Sequence, residues 1–229
     1  MNDEKNKQTS FVGHLTELRS RLIKSIIYLS IFFIISYIFS ENIYNFLVSP
    51  YAEAVKNDDV SRRMIFTALH ETFIVYLKVA FFASLFISSP LILFQIWKFV
   101  APGLYKNEKK ALLPYLVATP LLFLLGGGLV YYLIMPLAIK FFLTFETSAQ
   151  FGHLPIQLEA KVNEYLSLIM RLIFAFGLSF QLPVLLSLLA RVGFIDSQYL
   201  KKRRKYVIVI IFAVAAILTP PDPITQIGL

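Results

Sequence analysis

Cysteine is absent from this chain, which removes disulfides, thiolate nucleophiles and cysteine metal sites. Histidine is scarce. His14, His70 and His153 stand far apart, none at ligand spacing from another, and each reads as an interfacial or loop residue rather than a metal ligand. Charged residues make up only 16% of the sequence, and Asp and Glu number 14 against 22 Lys and Arg. There is no His-Glu-x-x-His, no Walker loop, no Gly-x-Ser-x-Gly and no pair of aspartates within an apolar run. Gly126-Gly127-Gly128 lies inside an apolar run with no Lys-Ser/Thr after it, so it reads as helix packing and not as a phosphate cradle. These absences point away from an enzyme and away from metal, cofactor and nucleic acid. The polar opening, MNDEKNKQTS, holds no short apolar segment with a small-residue cleavage site, so the first apolar run is expected to be a permanent anchor.

Hydrophobicity is what the chain has in abundance: 57% of its 229 residues are apolar and the mean hydropathy is +0.68. Soluble domains average roughly 45–50% apolar. Apolar runs longer than about 18 residues are transmembrane candidates, and four occur here, over residues 22–39, 72–97, 111–142 and 164–190. A fifth, 206–218, is only about 13 residues, or roughly 20 Å of helix against a hydrocarbon core of about 30 Å. After the turn Thr219-Pro220-Pro221-Asp222-Pro223, residues 224–229 begin a sixth span that is incomplete in this sequence. Residues 1–21 read as a solvated tail followed by an interfacial amphipathic helix, with Phe11, Leu15, Leu18 and Leu22 at helical spacing. Residues 41–71, with Pro50, and 144–163 read as connections. The expected fold class is an all-α integral membrane protein, a single polytopic domain over 1–229.

Orientation follows from the basic residues. The tail through Lys24, the segment 98–110 and the segment 191–205 together hold 15 Lys and Arg, and the connections on the other side hold 4. The expected N-terminus is cytoplasmic, with the loop around Glu108 on the same side.

That loop closes the stretch LILFQIWKFVAPGLYKNEKK, residues 91–110, where Trp97, Phe99, a Pro102-Gly103 turn and Tyr105 frame one acid, Glu108, among lysines. A carboxylate held at a membrane surface by aromatics suits a cation. Glu17 lies on the same expected side, and a guanidinium could engage either acid by paired hydrogen bonds. Each acid also has a plain structural reading. Glu17 sits four residues before Arg21, and Glu108 follows Asn107 in the first turn of a helix. Within the apolar runs stand Gln95, Gln181 and Arg171, with Glu164 at an end. Glu164 and Arg171 are seven residues apart, two turns along one helix face, and such a stripe is expected to face a bundle interior or cavity. One function these residues allow is secondary transport of a small cationic solute, with Glu164, Arg171 and Gln181 as a midplane site.

HLTELRSRL at 14–22, SSPLILFQIWKFVAPGLYKNEKK at 88–110, EYLSLIMRLIFAFGLSFQLPV at 164–184 and LTPPD at 218–222 together resemble the TatC family, the large polytopic subunit of the twin-arginine protein translocase. The likeness covers nearly the whole chain in order and spacing. It implies a six-helix, cupped, all-α fold in a bacterial cytoplasmic (inner) membrane. The implied function is a receptor and assembly platform within a multimeric complex, binding twin-arginine signal peptides of folded cargo and recruiting single-span TatA- and TatB-type subunits. By the resemblance, Glu17 and Glu108 match the acids that meet the paired arginines, and Arg19, Phe99, Pro102, Leu104 and Tyr105 match other positions of that region. Pro50 matches a proline of the outer cap. Thr219, Pro220, Pro221, Asp222 and Gln226 match the turn and last span where the partner subunits dock. Many relatives carry an acid where Gln181 stands, and the expectation is that Glu164 supplies the intramembrane carboxylate here from another turn.

Overall fold

The protein is described by a computed structural model covering residues 2–56, 62–104, 109–147, 154, 156–191, 195–219 and 222–228. Helices dominate: α1 (Asn2–Ile38), α2 (Ser40–Ala54), α3 (Glu71–Leu104), α4 (Lys109–Leu129), α5 (Met135–Leu143), α6 (Val162–Ser179), α7 (Leu182–Arg191), α8 (Ser197–Leu218) and α9 (Pro223–Gly228). A single π turn, Val130–Ile134, joins α4 to α5. It directly precedes Pro136, whose missing N–H breaks the regular bond ladder at that point. Among the described residues, pairing outside helices is confined to two isolated bridges, Ile65 with Lys161 and Thr147 with Ile156.

Four stretches are long and apolar enough to cross a bilayer: Gly13–Ile38, Glu71–Ile96, Val117–Leu143 and Val162–Ala190. The sequence led us to expect a separate interfacial helix before the first span, but α1 runs unbroken through both. No proline or helix-stopping glycine pair interrupts it, so nothing local favours a break. The expected Pro102-Gly103 turn is likewise absent, because α3 continues helical to Leu104. The fourth span breaks after Ser179, where Pro183 in the first turn of α7 cannot donate to the Ser179 carbonyl. The basic segment before the fifth apolar run belongs to α8 itself.

The connection expected over 41–71 contains α2, which the sequence reading did not anticipate. Leu47 and Tyr51 on this helix are buried, and so is Pro50. Pro50 leaves the Phe46 carbonyl without its usual helical donor, and the Tyr131 hydroxyl donates to it at 2.8 Å while the Phe46 and Tyr131 rings stack 4.3 Å apart. The Tyr165 hydroxyl donates to the Leu47 carbonyl at 3.1 Å. A similar repair occurs in α3: Pro90 orphans the Phe86 carbonyl, and the Ser89 hydroxyl donates to it at 2.7 Å.

The core sits where α3, the π turn and α6 meet, around Val79, Val130, Ile169, Leu172 and Phe176. α4 and α6 approach so closely that a Cβ on Gly126 would lie 2.7 Å from the Phe176 carbonyl oxygen. Glycine is required there because backbone faces backbone. α1 packs along α3, whereas α8 touches the rest only lightly, at α6 and α9, and is exposed on nearly every side.

Candidate functional site

At the end of the bundle where α1 enters and α3 leaves, one polar link crosses between the helices. Arg21 donates from Nη2 to Glu17 Oε1 at 3.0 Å and from Nη1 to Gln95 Oε1 at 3.1 Å. The first contact is the i, i+4 pair legible in the sequence. The second spans 74 residues and was not. Gln95 is buried, while the Glu17 side chain keeps a third of its surface exposed. Glu17 is therefore a partly exposed carboxylate with one oxygen occupied by a resident guanidinium. An aromatic contact lies three residues before it on α1, and a cation–ring contact lies on α3. His14 meets Phe99 edge to face at 6.4 Å, and the Lys98 ammonium lies 4.3 Å over the Phe94 ring. Arg19 is exposed on the same helix. Pro102 and Leu104 lie in the last turn of α3, and Tyr105 and Glu108 lie outside the described residues.

The opposite end is capped by the connections. Arg62, nearly buried, grips Glu146 through two hydrogen bonds of 2.7 Å, and the same carboxylate accepts the Leu158 N–H at 2.7 Å. These bonds hold the Glu146 carboxyl below its ordinary value, with the Arg62 hydrogen bond the largest cause. Ile65 exchanges backbone bonds with Ala160 and Val162, so the α2–α3 and α5–α6 connections are laced into one lid. Next to the buried Pro50 on α2, Tyr51 shares a crevice with Leu158, Glu159 and Ala160 of that lid. The Arg62–Glu146 clasp is not legible in the sequence, since 84 residues separate its partners.

The membrane-depth groups are arranged differently from expectation. Glu164 and Arg171 do share one line of α6 with Leu178, but that line is the exposed face and not the bundle interior. The inward face is already filled by Leu166, Ile169, Leu172, Ile173 and Phe176, leaving no polar room. Glu164 stands in the first turn, strongly exposed and 3.6 Å from Lys161. About 22 Å of helix separates it from Ser179, so it cannot stand in for an acid at Gln181. Gln181 lies at the break between α6 and α7, where its Nε2 donates to the Thr119 carbonyl at 2.8 Å and its Oε1 is buried without a hydrogen-bond donor. An arginine at mid-bilayer costs about 2.5–3.5 kcal/mol unless paired or led to the interface.

In the last turn, Asp222 is buried and caps α9. Its Oδ1 accepts the Thr225 N–H at 2.8 Å and its Oδ2 accepts the Thr225 hydroxyl at 2.6 Å. Pro223 occupies the first helical position, where no N–H is needed. Thr219 is also buried, its hydroxyl donating to the Ala215 carbonyl at 2.9 Å. Thr219 and Asp222 thus build the turn and do not present polar groups outward, whereas Gln226 is half-exposed. Pro220 and Pro221 lie outside the described residues. Among the described residues no group of three His, Asp or Glu could hold a metal ion.

Residues 13–229 match the family described as Sec-independent protein translocase protein (TatC). The Sec-independent protein translocase protein TatC of Magnetococcus marinus is 46% identical over 229 residues, covering 100% of this chain and 81% of that one. Its Escherichia coli K12 counterpart is 37% identical over 215 residues, covering 94% and 80%. A crystal structure of the twin-arginine translocase receptor TatC superposes with a TM-score of 0.77 at 36% identity, covering 93% of this chain and 90% of that chain.

Proposed function

The chain belongs to the TatC family of Sec-independent protein translocase proteins, and from that premise we propose that its α1–α3 end is the receptor site for twin-arginine signal peptides. The observation that carries this is Glu17, a partly exposed carboxylate already paired with a guanidinium, three residues after His14, whose ring meets Phe99. An incoming arginine competes with Arg21 for this partly exposed carboxylate. Planar, paired N–H donors favour arginine over the point charge of lysine at such a site. Glu108, Arg19, Pro102, Leu104 and Tyr105 complete the region in this reading. The excess of basic residues supports, in this reading, a cytoplasmic location for this end and an outer location for the Arg62–Glu146 lid, in the cytoplasmic membrane of a bacterium.

Single-span subunits of the TatA and TatB type are recruited, in the same proposal, along the sparsely contacted α8 and the half-exposed Gln226. The protein acts as receptor and platform and not as a catalyst. Binding of an Arg-Arg signal peptide and its Lys-Lys counterpart to the purified protein tests the site. Removing either a peptide arginine pair or the Glu17 carboxylate (Glu17→Gln) should weaken binding about tenfold or more, the worth of a charge-assisted hydrogen bond. Glu108→Gln should do the same. Equal binding in all arms would reduce both acids to helix-end residues.

A further inference from the structure

The exposed line of α6 carries a cation and an anion in a fixed order that the receptor reading does not use. Arg171 is nine residues into α6, about 13 Å along the axis from Val162, and it has no ion pair or hydrogen bond among the described residues. Helical side chains lean toward the helix N-terminus, so its guanidinium leans toward Glu164, one line above. A neighbour shows the same movement completed. α3 runs parallel to α6, as the pairs Glu71–Asn163 and Phe82–Phe174 establish, which puts Lys78 at the depth of Arg171. The Lys78 ammonium reaches outward to Asn163 Oδ1 at 2.8 Å.

Glu164 stands between two hollows. On the α3 side a polar cavity of about 320 Å³ is lined by His70, Glu71, Lys78, Lys161 and Asn163. Glu71 is already committed there to the backbone N–H groups of Thr67, Ala68 and Asn163. On the α5 side a largely apolar crevice of about 210 Å³ is lined by Met135, Ile139, Phe142 and Leu168. A positive group deep, a negative group at the rim, a polar hollow and an apolar crevice together match one class of molecule. That class is a phospholipid whose phosphate lies deeper than its amine. We propose that this face binds a phospholipid with a primary-amine headgroup from the leaflet at the Val162 end. Its phosphate pairs with Arg171 and its ammonium donates to Glu164, joining Lys161 there, while an acyl chain follows the α5–α6 crevice. A quaternary choline has no N–H to donate to Glu164, and a glycerol headgroup brings no cation to it.

The test is native mass spectrometry of the purified full chain with phosphatidylethanolamine, phosphatidylglycerol and phosphatidylcholine of identical acyl chains. Wild type should retain phosphatidylethanolamine several-fold over the other two. Arg171→Leu should lose that retention, and Glu164→Gln should bind phosphatidylglycerol as well as phosphatidylethanolamine. Both residues are exposed, so melting in detergent should be unchanged, and Arg171→Gln serves if the leucine variant fails to fold. Equal retention of the three lipids by wild type overturns the proposal. So does undiminished retention by the Arg171 variants, which would leave Arg171 to a carboxylate on a partner helix. Signal-peptide binding is read separately and is expected to be unaffected.

Discussion

At the scale of single residues, two acids that look alike in the sequence do different work. Asp222 is buried with both carboxylate oxygens committed to Thr225, so its first duty is to start α9. Asparagine caps a helix about as well, whereas alanine loses the cap at a cost of about 1–2 kcal/mol. Asp222→Asn should therefore melt within a degree or two of wild type in detergent, and Asp222→Ala clearly lower. Glu146 is a clasp. Because its carboxyl is held below the ordinary 4.5, the stabilisation it gives is complete above that value and is lost as pH falls through the depressed folded value. Glu146→Ala should lower stability by about 1.5–3 kcal/mol at pH 7. The deficit against wild type should shrink in acid, as thermal melts at pH 7 and pH 3 would show. A deficit of constant size would mean the Arg62 pair contributes nothing through its charge.

At the scale of elements, proline and glycine positions are explained by what lies opposite them. Pro50 and Pro90 each free a carbonyl, and Tyr131 and Ser89 fill those vacancies. Adjacent glycines in α4 divide by neighbour: a Cβ on Gly126 would strike the Phe176 backbone, while one on Gly128 meets nothing within 4 Å. Gly126→Ala should cost about 1–3 kcal/mol by forcing α4 and α6 apart. Gly128→Ala should be neutral or slightly stabilising. Unfolding by denaturant in detergent would separate them, and equal behaviour would deny the close α4–α6 contact. The run of three glycines was visible in the sequence as packing, but that Gly126 and Gly127 pack, while Gly128 does not, depends on helix rotation.

At the scale of the whole molecule, the ends of the bundle differ in charge and construction. One presents basic residues from α1, α3 and α8, and the other presents a lid laced by backbone bridges and the Arg62–Glu146 pair. The absence of cysteine makes sidedness directly measurable. Lys201→Cys should be shielded from an impermeant maleimide added to intact cells, and Glu159→Cys should be labelled. The reverse pattern would invert the molecule and move the Glu17 site to the outside.

The sequence by itself determined that this is an all-helical membrane protein, which four runs are long and apolar enough to cross a bilayer, and which family it resembles. Those properties rest on hydropathy, periodicity and motif, all local along the chain. Glu17 with Arg21 was legible for the same reason, being one turn apart. Only the tertiary structure decided that Gln95 holds Arg21 and that Arg62 clasps Glu146. It also decided that α2 shares a crevice with the lid and that Glu164 and Arg171 face outward. Each of these depends on how far helices are rotated about their axes and which neighbours they meet, and packing between residues distant in sequence sets that rotation.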